Sequence, residues 1–252
     1  MQLAEGEHKR VSVNGDTLTA MMGTVKYQPE KLEREPQVGL VNGLAWTSVG
    51  GELLEVEASA MEGNGKIMPT GNLGDVMKES CQAAVSYIRA NTEKLGVASD
   101  FYKTKDIHIH FPEGAVPKDG PSAGIAITTA IVSALTDAPV RRDVAMTGEV
   151  TIRGRVLPIG GLREKTMAAY RNGVHTVIIP EDNQKDLEDI DQTVRQGLHF
   201  IPVSHVNEVL KEVLVRAGRN ALQTEEDVEA ENTALLQQAA VQDLGAHAHI
   251  SQ

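Results

Sequence analysis

The segment VPKDGPSAGIAITTAIVSAL, residues 116–135, joins two contrasting kinds of sequence. Its beginning is dense in proline and glycine, which predicts a loop. The rest is an apolar run interrupted only by serine and threonine, which predicts a buried helix of a globular domain. Ser122 stands where the loop enters this helix. The segment therefore places a serine at the first turn of a buried helix.

Shorter apolar segments on both sides of this helix predict the rest of the domain. Alternating segments predict strands with one buried face, and segments whose apolar residues recur on one side predict helices. Because strands and helices do not alternate strictly, the order favours an α+β fold with a mixed sheet and flanking helices over a doubly wound parallel sheet. We predict strands at 38–46, 52–61, 107–111, 176–180 and 199–203, a hairpin at 143–161, and helices at 75–95, 122–136, 160–173, 182–190 and 206–214.

The composition is that of an ordinary globular protein, with 252 residues of which 41% are hydrophobic and 23% charged. One cysteine, Cys81, cannot form an intrachain disulfide, so we expect a reducing compartment, the bacterial cytoplasm. No apolar run suits a signal peptide or reaches the ~18 residues of a membrane span, so we expect no membrane partner. The formal net charge of -11 disfavours nucleic-acid binding, which needs a basic surface.

Residues 120–124, GPSAG, match the G-x-S-x-G nucleophile elbow of α/β-hydrolases. The context argues against that fold, because an elbow needs an apolar strand that runs directly into it. Here ten loop residues with three prolines separate the strand 107–111 from Ser122. A catalytic triad would also need a downstream histidine, and each candidate lies in or beside a short strand, where a structural role is favoured: His175, His199 and His205. An esterase with such a triad stays an open alternative.

A lysine is the other possible partner for Ser122. At the first turn of a helix, the dipole and the backbone N–H groups stabilise an oxyanion, and this field together with burial disfavours a protonated amine nearby. A lysine packed there can be neutral and accept the serine proton. Lys165 is the candidate because it lies one turn into the glycine-bounded helix predicted at 160–173. The competing interpretation is a solvated lysine paired with Glu164 or Glu181.

A family resemblance rests on three runs of sequence, VPKDGPSAGIAITTAIVSAL, DVAMTGEVTIRGRVLPIGGLREKTMAAYRNGV and TVIIPEDNQKDLEDI. They resemble the proteolytic domain of the ATP-dependent Lon protease, LonA type, and the likeness covers about residues 38–214. The resemblance implies the Lon protease fold, which is similar to domain 2 of ribosomal protein S5. It also implies that Ser122 is the nucleophile and Lys165 the base, and the two residues are 165 − 122 = 43 positions apart, as in the family.

The resemblance also assigns supporting roles around this pair. Thr147 corresponds to a threonine that hydrogen-bonds the catalytic lysine, although an ordinary strand residue would look the same. Asp119 corresponds to an aspartate that contacts the lysine or gates the site, and a loop-capping aspartate is the equally simple alternative. Backbone N–H groups near Asp119 and Ser122 are candidate oxyanion donors, which adds Gly120 and Ala123 to the supporting set.

Substrate-groove and metal-binding residues are less well defined by the sequence. Trp46 and Glu57 correspond to the wall of the family's substrate groove, although a single tryptophan also suits a core. His108 and His110 point to one face of their predicted strand and could in principle hold zinc. With Cys81 isolated and no third ligand at a suitable spacing, we predict no metal site.

Three regions are predicted along the chain. Residues 1–35 resemble the end of the lid of the Lon ATPase module with a linker, residues 36–218 form the proteolytic domain, and residues 219–252 are an acidic tail expected to be disordered. No G-x-x-x-x-G-K-[ST] phosphate loop occurs, since GNGK at 63–66 has Ala60 where the upstream glycine is required. We expect no ATPase activity and no cofactor in this chain, with ATP and Mg confined to the family's ATPase module.

These expectations describe a serine endopeptidase with a Ser-Lys dyad that degrades unfolded proteins and peptides, the isolated protease part of a Lon protease. The family works as a hexameric ring, which implies a homo-oligomer. An alternative from a different class is a non-catalytic Lon-like domain of the RadA type, which shares the sheet but lacks the dyad. The serine–lysine pair and the acidic charge disfavour this binding domain.

Overall fold

The structure is a computed structural model, and it divides the chain into two units, Met1–Lys31 and Leu32–Gln252. The residues that the structure describes are 14–23, 35–47 and 50–215.

In the first unit the described residues form one helix, α1 (Gly15–Met22). Asn14 caps its start, because the Asn14 side-chain oxygen accepts a hydrogen bond from the Thr17 N–H at 2.9 Å. Most of the predicted lid remnant at 1–35 and the whole predicted tail at 219–252 lie outside the described residues.

The second unit is built on a seven-stranded sheet, a small hairpin and several helices. The sheet strands are β1 (Leu40–Thr47), β2 (Gly50–Glu62), β3 (Ile67–Thr70), β4 (Lys105–His110), β5 (Val144–Met146), β8 (Thr176–Pro180) and β9 (His199–Val203), and the hairpin is β6 (Glu149–Val150) with β7 (Val156–Leu157). The helices are α2 (Asp75–Ala90), α3 (Thr92–Leu95), α4 (Phe101–Thr104), α5 (Gly124–Thr136), α6 (Leu162–Arg171), α7 (Gln192–Gly197) and α8 (Val206–Val213), with a 3-10 helix at Glu181–Asp189.

The sheet is mixed, in the order β3-β4-β2-β1-β5-β8-β9. Strand β2 pairs antiparallel with both β1 and β4. All the other pairs in the sheet are parallel. The predicted mixed sheet with flanking helices is therefore confirmed.

Helices cover both faces of the parallel part of this sheet. In β8, Ile178 lies in the core that contains α2, α5 and α8, whereas its neighbours Val177 and Ile179 lie in a second core that contains α6 and α7. Alternate residues of one strand point to opposite faces, so the two cores lie on opposite sides of the sheet. Consequently α5 and α6, the helices predicted to carry the serine and the lysine, approach the sheet from opposite sides.

Helix α5 is the central element of the larger core. Its first ten residues are all buried, and it packs against α2, β1 and β2. This confirms the buried helix predicted from the apolar run. In the described part of the chain, no helix combines the length and the apolar character that crossing a membrane requires.

The segment 143–161 differs from its prediction as a single hairpin. Strand β5 joins the main sheet in parallel with β1, and only β6 and β7 pair as a hairpin. Gly154 lies in the hairpin turn with a φ of +83°, as predicted. The reason for the difference is that all three residues of β5 are buried, with Val144 and Met146 in one core and Ala145 in the other. A strand buried on both faces belongs inside a sheet.

Candidate active site

Ser122 lies just before α5, where the loop rich in proline and glycine ends, and it is half-buried. Its carbonyl oxygen accepts a hydrogen bond from the Gly148 N–H at 2.8 Å, and the Ile125 N–H donates to the Gly148 carbonyl at 3.1 Å. These two bonds tie the serine segment to the chain that follows β5. The backbone of Ser122 is therefore held at the carboxyl end of β5.

Free backbone donors lie beside the serine. Gly124 N–H donates to the Pro121 carbonyl at 3.1 Å, whereas the N–H groups of Ser122 and Ala123 make no hydrogen bond to any described residue. Both free groups lie at the positive end of α5. They can hold a negative oxygen that develops next to the serine hydroxyl.

Lys165 lies in the first turn of α6 and is almost completely buried, with 2% of its surface exposed. Burial lowers the pKa of its amine from 10.5 to about 8. None of the ion pairs among the described residues includes Lys165, so the predicted alternative of a solvated lysine paired with Glu164 or Glu181 is not what the structure shows. A buried amine without a carboxylate partner releases its proton easily enough to serve as a base.

Thr147 connects the lysine to the serine segment. The Lys165 Nζ donates a hydrogen bond to the Thr147 Oγ1 at 3.0 Å. The Thr147 hydroxyl in turn donates to the Ser122 carbonyl oxygen at 3.3 Å. No direct hydrogen bond between the Ser122 hydroxyl and Lys165 occurs among the described residues. The structure thus shows the threonine–lysine contact that the resemblance implied, and it makes Thr147 the bridge.

A close approach of backbones fixes the position of α6. A Cβ on Gly51 of β2 would lie 1.9 Å from the Glu164 carbonyl oxygen and 2.9 Å from the backbone nitrogen of Lys165, so only glycine leaves room for the helix. At the start of α6, Gly161 has a φ of +70°, and its Cα lies against the Trp46 side chain, which a Cβ there would meet at 3.0 Å. Gly51 and Gly161 therefore allow the first turn of α6 to pack closely against β1 and β2.

Asp119 contacts the start of α2. Its Oδ1 accepts hydrogen bonds from the Met77 N–H at 3.0 Å and from the Gly120 N–H at 2.9 Å. The structure thus places this carboxylate as a cap, the second of the two predicted interpretations, and no hydrogen bond or ion pair joins it to Lys165 among the described residues. The Gly120 N–H is engaged by Asp119, so it is not a free oxyanion donor, whereas that of Ala123 is.

Trp46 and Glu57, the two predicted groove residues, lie far apart on the β1–β2 pair. Trp46 pairs with Gly51, whereas Glu57 pairs with Leu40 at the other end of the strands. The six steps along β2 from position 51 to position 57 correspond to about 20 Å. Trp46 is 60% exposed and packs beside the start of α6, which rules out the core interpretation of this tryptophan. Trp46 therefore lies beside the element that carries Lys165, whereas Glu57 lies at the other end of the β1–β2 pair.

His108, His110 and His205 make structural hydrogen bonds. His108 Nε2 and His110 Nδ1 both hydrogen-bond the Thr70 hydroxyl, at 2.9 and 2.8 Å. The His205 ring binds the Arg153 carbonyl and caps α8 through the Asn207 N–H. His175 and His199 are exposed. In the part of the chain that the structure describes, no group of three or more His, Cys, Asp or Glu residues could hold a metal ion.

An ion pair made by the buried Arg142 and the close glycine contacts were not expected from the sequence. The Arg142 side chain is 2% exposed and donates to Glu55 of β2, and the Asn42 amide of β1 donates to the Arg142 carbonyl at 2.9 Å. No local pattern signals such contacts, because each joins residues distant in the sequence. Gly51 follows another glycine, which by itself predicts only a turn.

A serine at a helix start, free backbone donors beside it and a buried lysine held by a threonine define the class of serine hydrolases whose base is a lysine. Residues 12–216 match the family model of the Lon protease (S16) C-terminal proteolytic domain. The chain belongs to this family, and it is a serine peptidase domain of the Lon type.

Close relatives support the same family. The chain is 56% identical to a Lon protease of Brevibacillus choshinensis over 211 residues, which is 84% of this chain and 27% of that protein. It is 56% identical to Lon protease 1 of Bacillus subtilis over 209 residues, 83% of this chain and 27% of that protein. A Lon protease of Vibrio parahaemolyticus is 54% identical over 214 residues, 85% of this chain and 27% of the relative. The chain thus spans about a quarter of the length of these proteins.

Proposed function

We propose that this chain is the peptide-cleaving part of an ATP-dependent protease, with Ser122 as nucleophile and Lys165 as general base. The observation that carries the proposal is the buried Lys165 amine, bound to Thr147 and free of carboxylates among the described residues. Cys81 cannot take the place of the serine as nucleophile, because it is fully buried and burial raises the pKa of its thiol to about 12.

The proposed reaction begins when neutral Lys165 takes the proton of the Ser122 hydroxyl as its oxygen attacks a peptide carbonyl. The N–H groups of Ser122 and Ala123 hold the resulting oxyanion. Protonated Lys165 then gives its proton to the leaving amine, and the acyl group stays on Ser122. Water attacks this ester with Lys165 again as base, which releases the acid product and restores the serine. Hydrogen bonds between a nucleophile and its base are often long without substrate and shorten when substrate binds.

Several wider features belong to the same proposal. We propose unfolded polypeptides as substrates, added as extended strands beside a sheet edge, where main-chain hydrogen bonds give little sequence selectivity. The reaction needs only the serine, the amine and water, so we propose no cofactor for this chain. From the family we further propose a homo-oligomeric ring of six subunits, a cytoplasmic location and ATP-driven unfolding of substrates by the ATPase module. The family match does not favour the non-catalytic RadA-type domain.

The proposal is tested by labelling with a fluorophosphonate, a probe that forms a covalent bond with activated serines. We expect one adduct per wild-type chain, located on Ser122 by peptide mass spectrometry. The Ser122→Ala variant should take up no label, and Ser86→Ala, which changes an exposed serine of α2, should label like the wild type. A label on another serine, or equal labelling of Ser122→Ala, would show that the nucleophile is wrongly assigned.

Replacing Thr147 by valine should slow peptide hydrolysis roughly 10²-fold, because the Lys165 amine loses the acceptor that orients it. Valine keeps the shape of the side chain, so the fold should persist. Thr147→Ser keeps the hydroxyl and should retain most of the activity. Steady-state hydrolysis of a short fluorogenic peptide measures both variants. Equal activity in Thr147→Val and the wild type would exclude the bridging role.

Replacing Gly51 by alanine should displace α6, because the new Cβ overlaps the Glu164 carbonyl. We expect a loss of about 1–3 kcal/mol in the free energy of unfolding and roughly tenfold slower hydrolysis. Gly160→Ala is the matched control, since a Cβ there meets no atom within 4 Å. Denaturant titration and peptide assays compare the two. If both variants behave alike, the close contact does not position α6.

A further inference from the structure

A second close contact, between Gly74 and Asp119, lies on the nucleophile side of the site. Gly74 precedes α2 with φ −71° and ψ 175°, an extended conformation open to any residue. A Cβ at this position would nevertheless lie 2.2 Å from the Asp119 Cγ, 2.4 Å from its Oδ2 and 2.7 Å from its Cβ. Gly74 is therefore required for space and not for backbone conformation.

The space beside Gly74 lets the Asp119 carboxylate reach the start of α2. Gly74, the residue at the N-cap position, has no side chain to cap the helix, and Asp119 Oδ1 accepts from the N–H of Met77, the third residue of α2. A carboxylate there satisfies an otherwise free N–H and lies in the positive field of the helix. The start of α2 is thus capped by a residue 42 positions away in sequence.

Backbone hydrogen bonds reinforce the same junction. The Gly74 N–H donates to the Lys118 carbonyl at 2.8 Å, and the Lys118 N–H donates to the Asn72 carbonyl at 3.1 Å. Three residues after Asp119 comes Ser122, whose carbonyl is fixed from the other side by Gly148 at 2.8 Å. The serine segment is therefore fixed at two points. The start of α2 holds Lys118 and Asp119, and Gly148, after β5, holds Ser122.

We propose that Gly74 is a positioning residue for the nucleophile, acting through Asp119. This inference rests on the proposed role of Ser122. The Asp119 Cγ and Oδ2 can rotate away from an alanine at position 74, but the Asp119 Cβ, 2.7 Å from the new Cβ, is fixed to its backbone. The Asp119 segment must therefore move by on the order of 1 Å, since carbon atoms in contact are separated by about 3.5–4.0 Å. A shift of that size at the reacting atom costs about tenfold or more in rate.

The expected signature of positioning is a slower reaction at Ser122 in a protein that remains folded. Gly74→Ala should reduce kcat for a short peptide about tenfold or more, with a smaller change in KM. Gly114→Ala is the matched control in the loop before Ser122, because a Cβ there meets no atom within 4 Å and its φ lies outside the left-handed region. Thermal unfolding of each variant sets an assay temperature at which all are folded.

The deciding experiment is a double-mutant cycle between Gly74→Ala and Asp119→Gly, with the rate of Ser122 labelling by the fluorophosphonate as the readout. Asp119→Gly removes all three atoms that the new Cβ would meet. We expect Gly74→Ala to slow labelling about tenfold in the wild-type background and to have almost no effect in the Asp119→Gly background. Equal slowing in both backgrounds, or none in the first, would overturn the positioning role. Absence of label on Ser122 in the wild type would instead refute the proposed function itself.

Discussion

Peptide hydrolysis should fall about 10³-fold or more when Lys165 is replaced by methionine, with every histidine left in place. Methionine has a similar length and no basic group, so the Ser122 proton has no acceptor. A Ser-His-Asp esterase would keep its activity in this variant. The fold already argues against such an enzyme, because β4 ends at His110 and a long loop precedes Ser122. Initial rates on a fluorogenic peptide measure the loss.

The same substitution should make the protein more stable at pH 7. The pKa of Lys165 falls from 10.5 to about 8 on folding, so the folded state binds this proton less tightly than the unfolded chain. Wild-type stability therefore rises as pH increases from about 8 to 10.5, by up to about 3 kcal/mol. The stability gain of Lys165→Met should be largest at pH 7 and shrink over that window.

Denaturant titrations of the wild type, Lys165→Met and Lys211→Met at several pH values measure this difference. Lys211 lies exposed on α8, so its replacement is the matched control for losing one positive charge. A Lys165→Met protein that is inactive but less stable than the wild type at every pH would contradict an amine that burial destabilises in its charged form.

Casein hydrolysis without nucleotide should be lost in Ser122→Ala, with a residual rate about 10³-fold or more below that of the wild type. Casein is an unfolded substrate, so its hydrolysis tests peptide cleavage apart from any ATP-driven unfolding. Removing the hydroxyl leaves the free N–H groups of Ser122 and Ala123 in place, so substrate binding should change little. The Kd of a labelled peptide for Ser122→Ala, compared with that for the wild type, checks that the substrate groove is intact.

The Ser86→Ala protein again serves as the control for a lost hydroxyl. Equal casein hydrolysis by Ser122→Ala and the wild type would show that another group attacks the peptide. If the wild type itself cleaves no casein but labels at Ser122, the chemistry stands and the claim of autonomous proteolysis falls.

The two central residues could be predicted because their positions depend on local patterns. A loop rich in proline and glycine followed by an apolar run places Ser122 at a helix start, and the helix begins at Gly124. Glycines bound the helix of Lys165, which runs over Leu162–Arg171 within the predicted 160–173. The family resemblance then supplied the pairing, since the 42 intervening residues contain no pattern that brings the serine and the lysine together.

The contacts that hold these residues in place could not be predicted, because each joins distant segments. Gly51 needs to be glycine only because α6 packs on β2, and Gly74 only because Asp119 packs on α2. Asp119 itself could be assigned either to the lysine or to a cap, and the sequence alone offers no reason to choose. Trp46 shows the limit of residue-type expectations, since a tryptophan in a mostly buried strand is 60% exposed.

We propose Lys165 as the base because burial keeps its pKa low. The most direct test is the pH dependence of the rate at which the fluorophosphonate labels Ser122, between pH 6 and pH 10. We expect a rate that rises with pH, with a midpoint near 8, where the amine loses its proton, and then levels off. This rise should be absent in Lys165→Met. A midpoint at about 6.5 that persists in Lys165→Met would identify a histidine, and not Lys165, as the base.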